Sequence, residues 1–267
     1  MRTQTIAVSS LKGGVAKTTT AVNLAAALSQ AGKRVLLIDL DPQGHCARAT
    51  GFDPSSLKLT TLDLFLGSVD PKSIILKTNF GDLSLMPSNF SLGTVEVALA
   101  DADIPASHLD LRDRLKDVTD GYDFVIIDCP PSLSYLTYNA LTAADWVLLP
   151  VQCEYFATSE ISVSLSSINN VKRSTNPDLE ILGILLTMYD QTTRICHEVA
   201  AEIFDTFADS VFPQPIPTSI SLVQCQAQGI PINYCMPTSR GSIAYESLAR
   251  EVIARTRERA TEKDGKR

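Results

Sequence analysis

No stretch of this 267-residue chain is built to cross a bilayer: none of its apolar runs approaches the ~20 residues that a spanning helix needs. Histidine is scarce, and the six cysteines (Cys46, Cys129, Cys153, Cys196, Cys225, Cys235) contain no C-x-x-C pair. The ordinary Cys/His metal sites are thereby excluded, and the cysteines read as buried or half-buried thiols of a reducing compartment. Positive charge is also in deficit. With 23 Lys and Arg against 30 Asp and Glu the formal net charge is −7, which argues against nucleic-acid binding through overall charge but leaves room for a local basic patch. No Pro/Gly/Ser-rich linker and no internal repeat divides the chain. Residues 1–260 therefore read as one domain with one large core, and 261–267 as a charged tail expected to fray. Met1 stands directly before a core strand, which leaves no room for a signal peptide, so the expected location is the cytoplasm.

What is present is an alternation of short Val/Ile/Leu-rich runs with segments of helical period. Strands are expected at Thr5–Ser9, Arg34–Asp39, Leu83–Pro87, Phe124–Asp128, Trp146–Val151, Glu180–Thr187 and Val211–Ile216. Helices are expected at Thr18–Ala31, Thr61–Leu66, Leu109–Asp117, Tyr135–Ala144, Ser159–Ser174, Thr193–Phe207 and Ser239–Arg259. Continuous apolar strands suit a sheet buried on both faces. The pattern predicts an α/β fold with a single doubly wound, mostly parallel sheet flanked by helices, and chemistry at the carboxyl ends of its strands.

Ser10 to Thr19, Ser-Leu-Lys-Gly-Gly-Val-Ala-Lys-Thr-Thr, lies between the first strand and the first helix. Gly13 and Gly14 let backbone N–H groups converge on an anion, and the helix N-terminus adds partial positive charge. Lys17 can meet the β- and γ-phosphates of a nucleoside triphosphate, and the Thr18 hydroxyl can ligate magnesium. The loop departs from the standard G-x-x-x-x-G-K-[ST] spacing at two places, with Leu11 and Ala16 where glycines are usual, and it carries an additional cation, Lys12.

Two buried strands end in carboxylates. One is Val35-Leu-Leu-Ile-Asp39-Leu-Asp41-Pro-Gln-Gly44; Asp39 and Asp41 would share one side if the strand stayed regular. The other is Phe124-Val-Ile-Ile-Asp128-Cys-Pro-Pro131, four hydrophobic residues ending in the acid typical of a Walker B strand. Beside a phosphate loop, such carboxylates organise magnesium and its water, or orient the attacking water.

Taken together, Lys12-Gly-Gly-Val-Ala-Lys17-Thr-Thr, Asp39-Leu-Asp41-Pro-Gln-Gly and Asp128-Cys-Pro-Pro-Ser make the chain resemble the ParA/Soj family of deviant-Walker ATPases, relatives of MinD. Asn139-Ala-Leu-Thr-Ala-Ala-Asp145, Pro150-Val-Gln-Cys-Glu-Tyr155, Leu186-Thr-Met-Tyr-Asp190 and Ser239-Arg-Gly241 extend the resemblance from about Thr5 to Ile253. The resemblance implies a P-loop fold and a Mg2+-dependent ATPase that is weak without its partner. It implies ATP bound by the loop residues Lys12, Gly13, Gly14, Val15, Ala16, Lys17, Thr18 and Thr19, with Met188 and Pro217 lining the adenine pocket. Lys12, Lys17 and Asp41 would be catalytic, Lys12 by reaching the partner subunit's phosphates in an ATP-dependent homodimer. Thr18, Asp39 and Asp128 would serve the metal.

The partners implied are a ParB-like adaptor that stimulates hydrolysis and non-specific DNA, giving a cytoplasmic switch that coats the nucleoid and partitions a plasmid or chromosome. The same switch with a non-ParB adaptor would position a protein cargo such as a carboxysome or chemoreceptor cluster. Thr218 and Ser221 occupy positions where Soj-like relatives usually carry arginines implicated in DNA contact, and Ile230 one where lysine is frequent, so DNA binding is expected to be weakened. Lys172, Arg173, Arg240, Arg250, Arg255, Arg257 and Arg259 could carry a relocated basic patch. Two further readings are an iron–sulfur relative, for which no second cysteine joins Cys129 in a suitable context, and a regulator that binds nucleotide without turnover because of Ala16. Membrane anchoring is not expected, since the last helix has only a narrow apolar stripe at 248, 252 and 253.

Overall fold

The computed structural model describes residues 2–95 and 111–264, of which 259–264 by backbone alone. Seven strands form one sheet: β1 (Gln4–Val8), β2 (Val35–Asp39), β3 (Leu76–Lys77), β4 (Leu83–Met86), β5 (Phe124–Asp128), β6 (Trp146–Gln152) and β7 (Glu180–Thr187). Their order is β3-β4-β2-β5-β1-β6-β7, parallel throughout except for β3, which pairs antiparallel with β4 at the edge. The helices are α1 (Lys17–Gln30), α2 (His45–Ala49), α3 (Thr61–Leu66), α4 (Leu111–Thr119), α5 (Tyr135–Ala143), α6 (Ala157–Ser174), α7 (Arg194–Phe207), α8 (Ile220–Ala227), α9 (Ile232–Cys235) and α10 (Arg240–Asp264).

Both faces of the sheet are covered, as its unbroken apolar strands require. Alternate residues divide the core: Ile6, Val8, Val35 and Leu37 pack with α1 and α10, while Ala7, Leu36 and Ile38 pack with residues of α3 to α7. Each fully buried Ile, Leu or Val contributes about 1.5–3 kcal/mol by leaving water. α1 is laid along α10, where the buried Tyr245 hydroxyl lies 3.4 Å from Thr20 Oγ1.

Most expected elements form within a residue or two of their predicted ends; positions 109–110 of the expected Leu109–Asp117 helix lie outside the described residues. The exception is Val211–Ile216, which makes no ladder strand: it meets β7 through one isolated bridge, Ile184 with Val211, and through the Phe212 and Ile216 N–H groups, which donate to the Ile184 and Leu186 carbonyls. Those two donors are four residues apart while their acceptors are two apart, so the segment bulges out of register and no continuous ladder forms; Pro213 and Pro215 fall on the alternate positions that face away from β7. α10 continues to Asp264, and residues 265–267 of the expected tail lie outside the described residues.

The reduced-thiol expectation also needs correcting. Cys225 and Cys235 are joined in a disulfide, because the turn after α8 brings α9 back until their Cα atoms are 5.8 Å apart. Cys46, Cys129, Cys153 and Cys196 remain free and buried.

Arg255, one of the cations proposed for a relocated basic patch, is not available to a partner. It donates to the Leu182 and Val211 carbonyls, pairs with Glu251 at 2.8 Å and lies 4.4 Å over the Phe212 ring.

Candidate active site

β1 ends at Val8, beside Asp128 of β5, and Asp128 is in turn the register partner of Asp39 on β2. The loop after β1 and the two carboxylates therefore meet at one edge of the sheet, at the strands' carboxyl ends, the usual ligand position in open α/β sheets.

In the loop, Gly14 has φ +80°, a conformation that disfavours a side chain, and a Cβ there would meet no atom within 4 Å. Gly13 and Gly14 are both exposed, leaving the backbone open to an incoming group. α1 begins without any side-chain cap and without an acidic residue in its first turn. Its N-cap is Ala16, held in the left-handed region at φ 62°, ψ 34°. Alanine is among the poorest caps, so the first-turn N–H groups are left for an anion to satisfy. The residues fit a phosphate group. Thr187 at the end of β7 donates to the Val15 carbonyl at 3.1 Å, tying the far side of the loop to the sheet.

The loop's lysines point to different places. Lys17 is buried, and its ammonium donates to the Lys12 carbonyl at 2.8 Å. Burial pushes the Lys17 ammonium below its ordinary pKa, while Asp128 and Asp41 nearby oppose that shift. Lys12 turns the other way: its Nζ lies 2.7 Å from Glu154 Oε2 and 2.9 Å from Glu160 Oε1. Those two hydrogen-bonded carboxylates raise the Lys12 pKa.

Asp39 and Asp128 are fully buried side by side. Asp39 accepts the N–H groups of Asp41 and Cys46, each at 3.0 Å. Asp128 Oδ2 accepts from Cys46 Sγ at 3.4 Å, while Asp128 Oδ1 is buried with no hydrogen-bond partner. Burial, and next the proximity of Asp128, hold the Asp39 carboxyl well above the usual carboxylate range; Asp128, also desolvated, is raised to about 7. Two buried like charges with an orphaned oxygen fit a divalent cation, which the Thr18 hydroxyl, within hydrogen-bonding reach of Asp128, could help to hold.

Asp41 does not extend the strand, which ends at Asp39. Its own N–H bonds back to Asp39, its Oδ1 accepts the Gln43 N–H at 2.9 Å, and its carbonyl accepts from Gly44. Gly44 follows at φ +64°, where a Cβ would sit 2.6 Å from the Ser88 carbonyl oxygen, so the turn carrying Asp41 is locked against β4's end. Met188 and Pro217 come together as well: the Thr218 hydroxyl donates to the Met188 carbonyl at 2.9 Å, and Tyr189 bridges Pro217. Thr218 and Ile220 are exposed on this side, and Ile220 and Val223 of α8 present an apolar rather than a cationic surface.

Sequence reasoning missed Glu154 and Glu160 as the partners of Lys12, and Cys46 as a member of the carboxylate cluster. Glu154 lies in a motif already singled out, but no spacing rule connects it to a loop 142 positions earlier.

Residues 3–181 match the AAA domain family. The sporulation initiation inhibitor protein Soj of Bacillus subtilis is 41% identical over 251 residues, covering 93% of this chain and 98% of Soj. The chromosome partitioning protein ParA of Caulobacter vibrioides is 40% identical, covering 95% of each chain. Among solved structures, a Mycobacterium smegmatis protein described as cobyrinic acid a,c-diamide synthase, with bound ATP analog and magnesium, superposes with a TM-score of 0.79 at 38% identity, covering 92% of this chain and 93% of its own. The loop, the paired acidic strand ends and these likenesses across nearly the whole chain place it in the ParA/Soj family of P-loop ATPases.

Proposed function

We propose that this chain is an ATP-dependent switch that dimerises on ATP, binds non-specific DNA in that state and is reset by adaptor-stimulated hydrolysis, so partitioning a plasmid or chromosome. The observation that carries the reading is the uncapped N-terminus of α1 behind an exposed double-glycine loop, flanked by Lys12 and Lys17 and facing the Asp39–Asp128 pair. Relatives named for chromosome partition, at about 40% identity over most of the chain, support the cargo class. The expected setting is the cytoplasm, with association to the nucleoid in the ATP state.

In this mechanism the first-turn N–H groups of α1 and the backbone of Gly13–Thr19 hold the phosphates. Lys17 leaves the Lys12 carbonyl to meet them, and Thr18, Asp39 and Asp128 would hold magnesium. When bound, the cation supplies charge neutralisation at the phosphate oxygens. Asp41, fixed by its own turn, orients and accepts a proton from the attacking water, a role worth about 10²–10⁴-fold. Lys12 releases Glu154 and Glu160 and crosses to the partner subunit's nucleotide. Hydrolysis is thereby coupled to assembly, because a low-dielectric site with both lysines exists only in the dimer. Met188 and Pro217 flank the base.

A second reading keeps the switch and gives it a protein cargo through a non-ParB adaptor. It is favoured by the exposed apolar side chains of Ile220 and Val223 on α8, in the segment where Thr218 and Ser221 stand in place of the arginines that the resemblance leads one to expect.

The test is duplex-DNA binding with and without ATP and Mg2+ across a salt series, for wild type and Asp41→Ala. Salt-sensitive, ATP-dependent binding that persists in Asp41→Ala is expected. Absence of binding by either protein, with ATP-driven dimerisation confirmed, refutes the DNA switch and points to a different matrix or partner.

A further inference from the structure

Cys46 is the one member of the carboxylate pocket that phosphate chemistry does not require. It sits in α2, directly after the Asp41 turn, and its backbone N–H and its thiol point to different carboxylates, Asp39 at 3.0 Å and Asp128 at 3.4 Å. One ligand atom from each of Asp39, Cys46 and Asp128 lies within 4.8 Å of the other two, and all three residues are buried. Independently of that proximity, Asp128 Oδ1 is buried and unpartnered.

The donor set discriminates between cations. Magnesium takes oxygen ligands and would leave the sulfur unused. An ion of the zinc class accepts mixed sulfur and oxygen sets, with Zn–S of about 2.3 Å and Zn–O of about 2.0–2.2 Å in a tetrahedron. Those bond lengths put sulfur and oxygen about 3.6 Å apart, close to the 3.4 Å between Cys46 Sγ and Asp128 Oδ2. A buried cysteine is ordinarily a small hydrophobe with a carbonyl for a partner, as Cys129 is with Ile127. Cys46 instead has two carboxylates.

We infer that Asp39, Cys46 and Asp128 form a binding site for a thiophilic divalent cation, of which zinc is the type, and that it excludes magnesium by taking the same two carboxylates. On binding, the Cys46 S–H bond breaks, the thiolate sulfur bonds the metal and the proton leaves to solvent. A fourth position stays open for water or the Thr18 hydroxyl. The site stands whether or not the chain hydrolyses ATP; only its consequence, a switch held off when zinc displaces magnesium, rests on the proposed function.

The test is cobalt(II) titration of the nucleotide-free, full-length protein under oxygen-free conditions without reductant, which keeps the Cys225–Cys235 disulfide closed. The expected result is a near-ultraviolet thiolate-to-cobalt band that saturates at one ion per chain and is bleached by equimolar zinc. In Cys46→Ala, cobalt affinity should fall more than about 100-fold, since even an outer-sphere partner is worth about 10–100-fold. No band in wild type, or an undiminished band in Cys46→Ala, overturns the assignment. Should that variant fail to fold, as judged by circular dichroism, Cys46→Ser, which keeps the side-chain volume, decides: loss of the thiolate band in the folded variant supports the site and an undiminished band refutes it.

Discussion

Ala16 offers the sharpest test of how the loop is built. Its φ of 62° places an L-residue in the left-handed region, at a cost of about 1–2 kcal/mol relative to ordinary backbone. It also stands at the N-cap of α1, where glycine is tolerated better than alanine. Replacing Ala16 by Gly removes the Cβ conflict but adds freedom to the unfolded chain, worth about 0.4–1 kcal/mol in the opposite direction. The balance predicts a net stabilisation of about 0.5–1 kcal/mol, or roughly 1–4 °C in melting temperature for a chain of this size. Thr20 N–H donates to the Ala16 carbonyl at 2.9 Å, a backbone bond that the substitution leaves intact, so α1 keeps its first hydrogen bond. The assay is equilibrium urea unfolding without nucleotide, with the midpoint raised and the slope unchanged. Ala16→Val is the control: a β-branched side chain at positive φ should lower the midpoint. If Ala16→Gly is neutral or destabilising while Ala16→Val is tolerated, position 16 is not held left-handed and the loop geometry described here is wrong.

Three further outcomes follow from named contacts. In the nucleotide-free protein Asp128 titrates near 7 against 3.8 when unfolded, so the folded state binds the extra proton and this contribution to stability falls as pH rises between those values. Asp128→Asn should therefore match wild type below pH ~4 and exceed it progressively to pH ~8; a difference in melting temperature that is flat with pH would refute this. Removing Glu154 and Glu160 together, as glutamines, frees Lys12 at little cost to stability, because the pairs are partly exposed. ATP-dependent dimerisation should tighten by about 5-fold for each kcal/mol recovered, measured by sedimentation; weaker dimerisation would mean that the two glutamates help assembly. Arg255→Met should cost about 2–3 kcal/mol by orphaning the Leu182 and Val211 carbonyls, and it should leave the salt dependence of any DNA binding unchanged. A shallower salt slope would return Arg255 to the DNA surface.

Local chemistry made much of this protein legible without a structure. A strand, two glycines, Lys-Thr and a helix in that order specify an anion cradle because each residue acts on its own neighbourhood, through φ, a cap or a helix dipole. Buried strands ending in Asp39 and Asp128 read equally well, since unbroken apolar runs mark strands covered on both faces. The failures were also physical. Val211–Ile216 had the apolar content of a strand, but its bonds to β7 slip out of register between Phe212 and Ile216. α8 and α9 are short and are held by tertiary packing and a disulfide more than by any periodic pattern.

The sequence by itself determined the alternating βα architecture, the phosphate loop and the identity of the acidic strand ends, because those follow from residue spacing within about 15 positions. Only the tertiary structure decided that β2 and β5 are neighbours, so that Asp39 and Asp128 share one buried site with Cys46. It alone set Lys12 between Glu154 and Glu160, and closed Cys225 onto Cys235. Such pairings depend on strand order and helix packing across the whole core, and no local spacing encodes them.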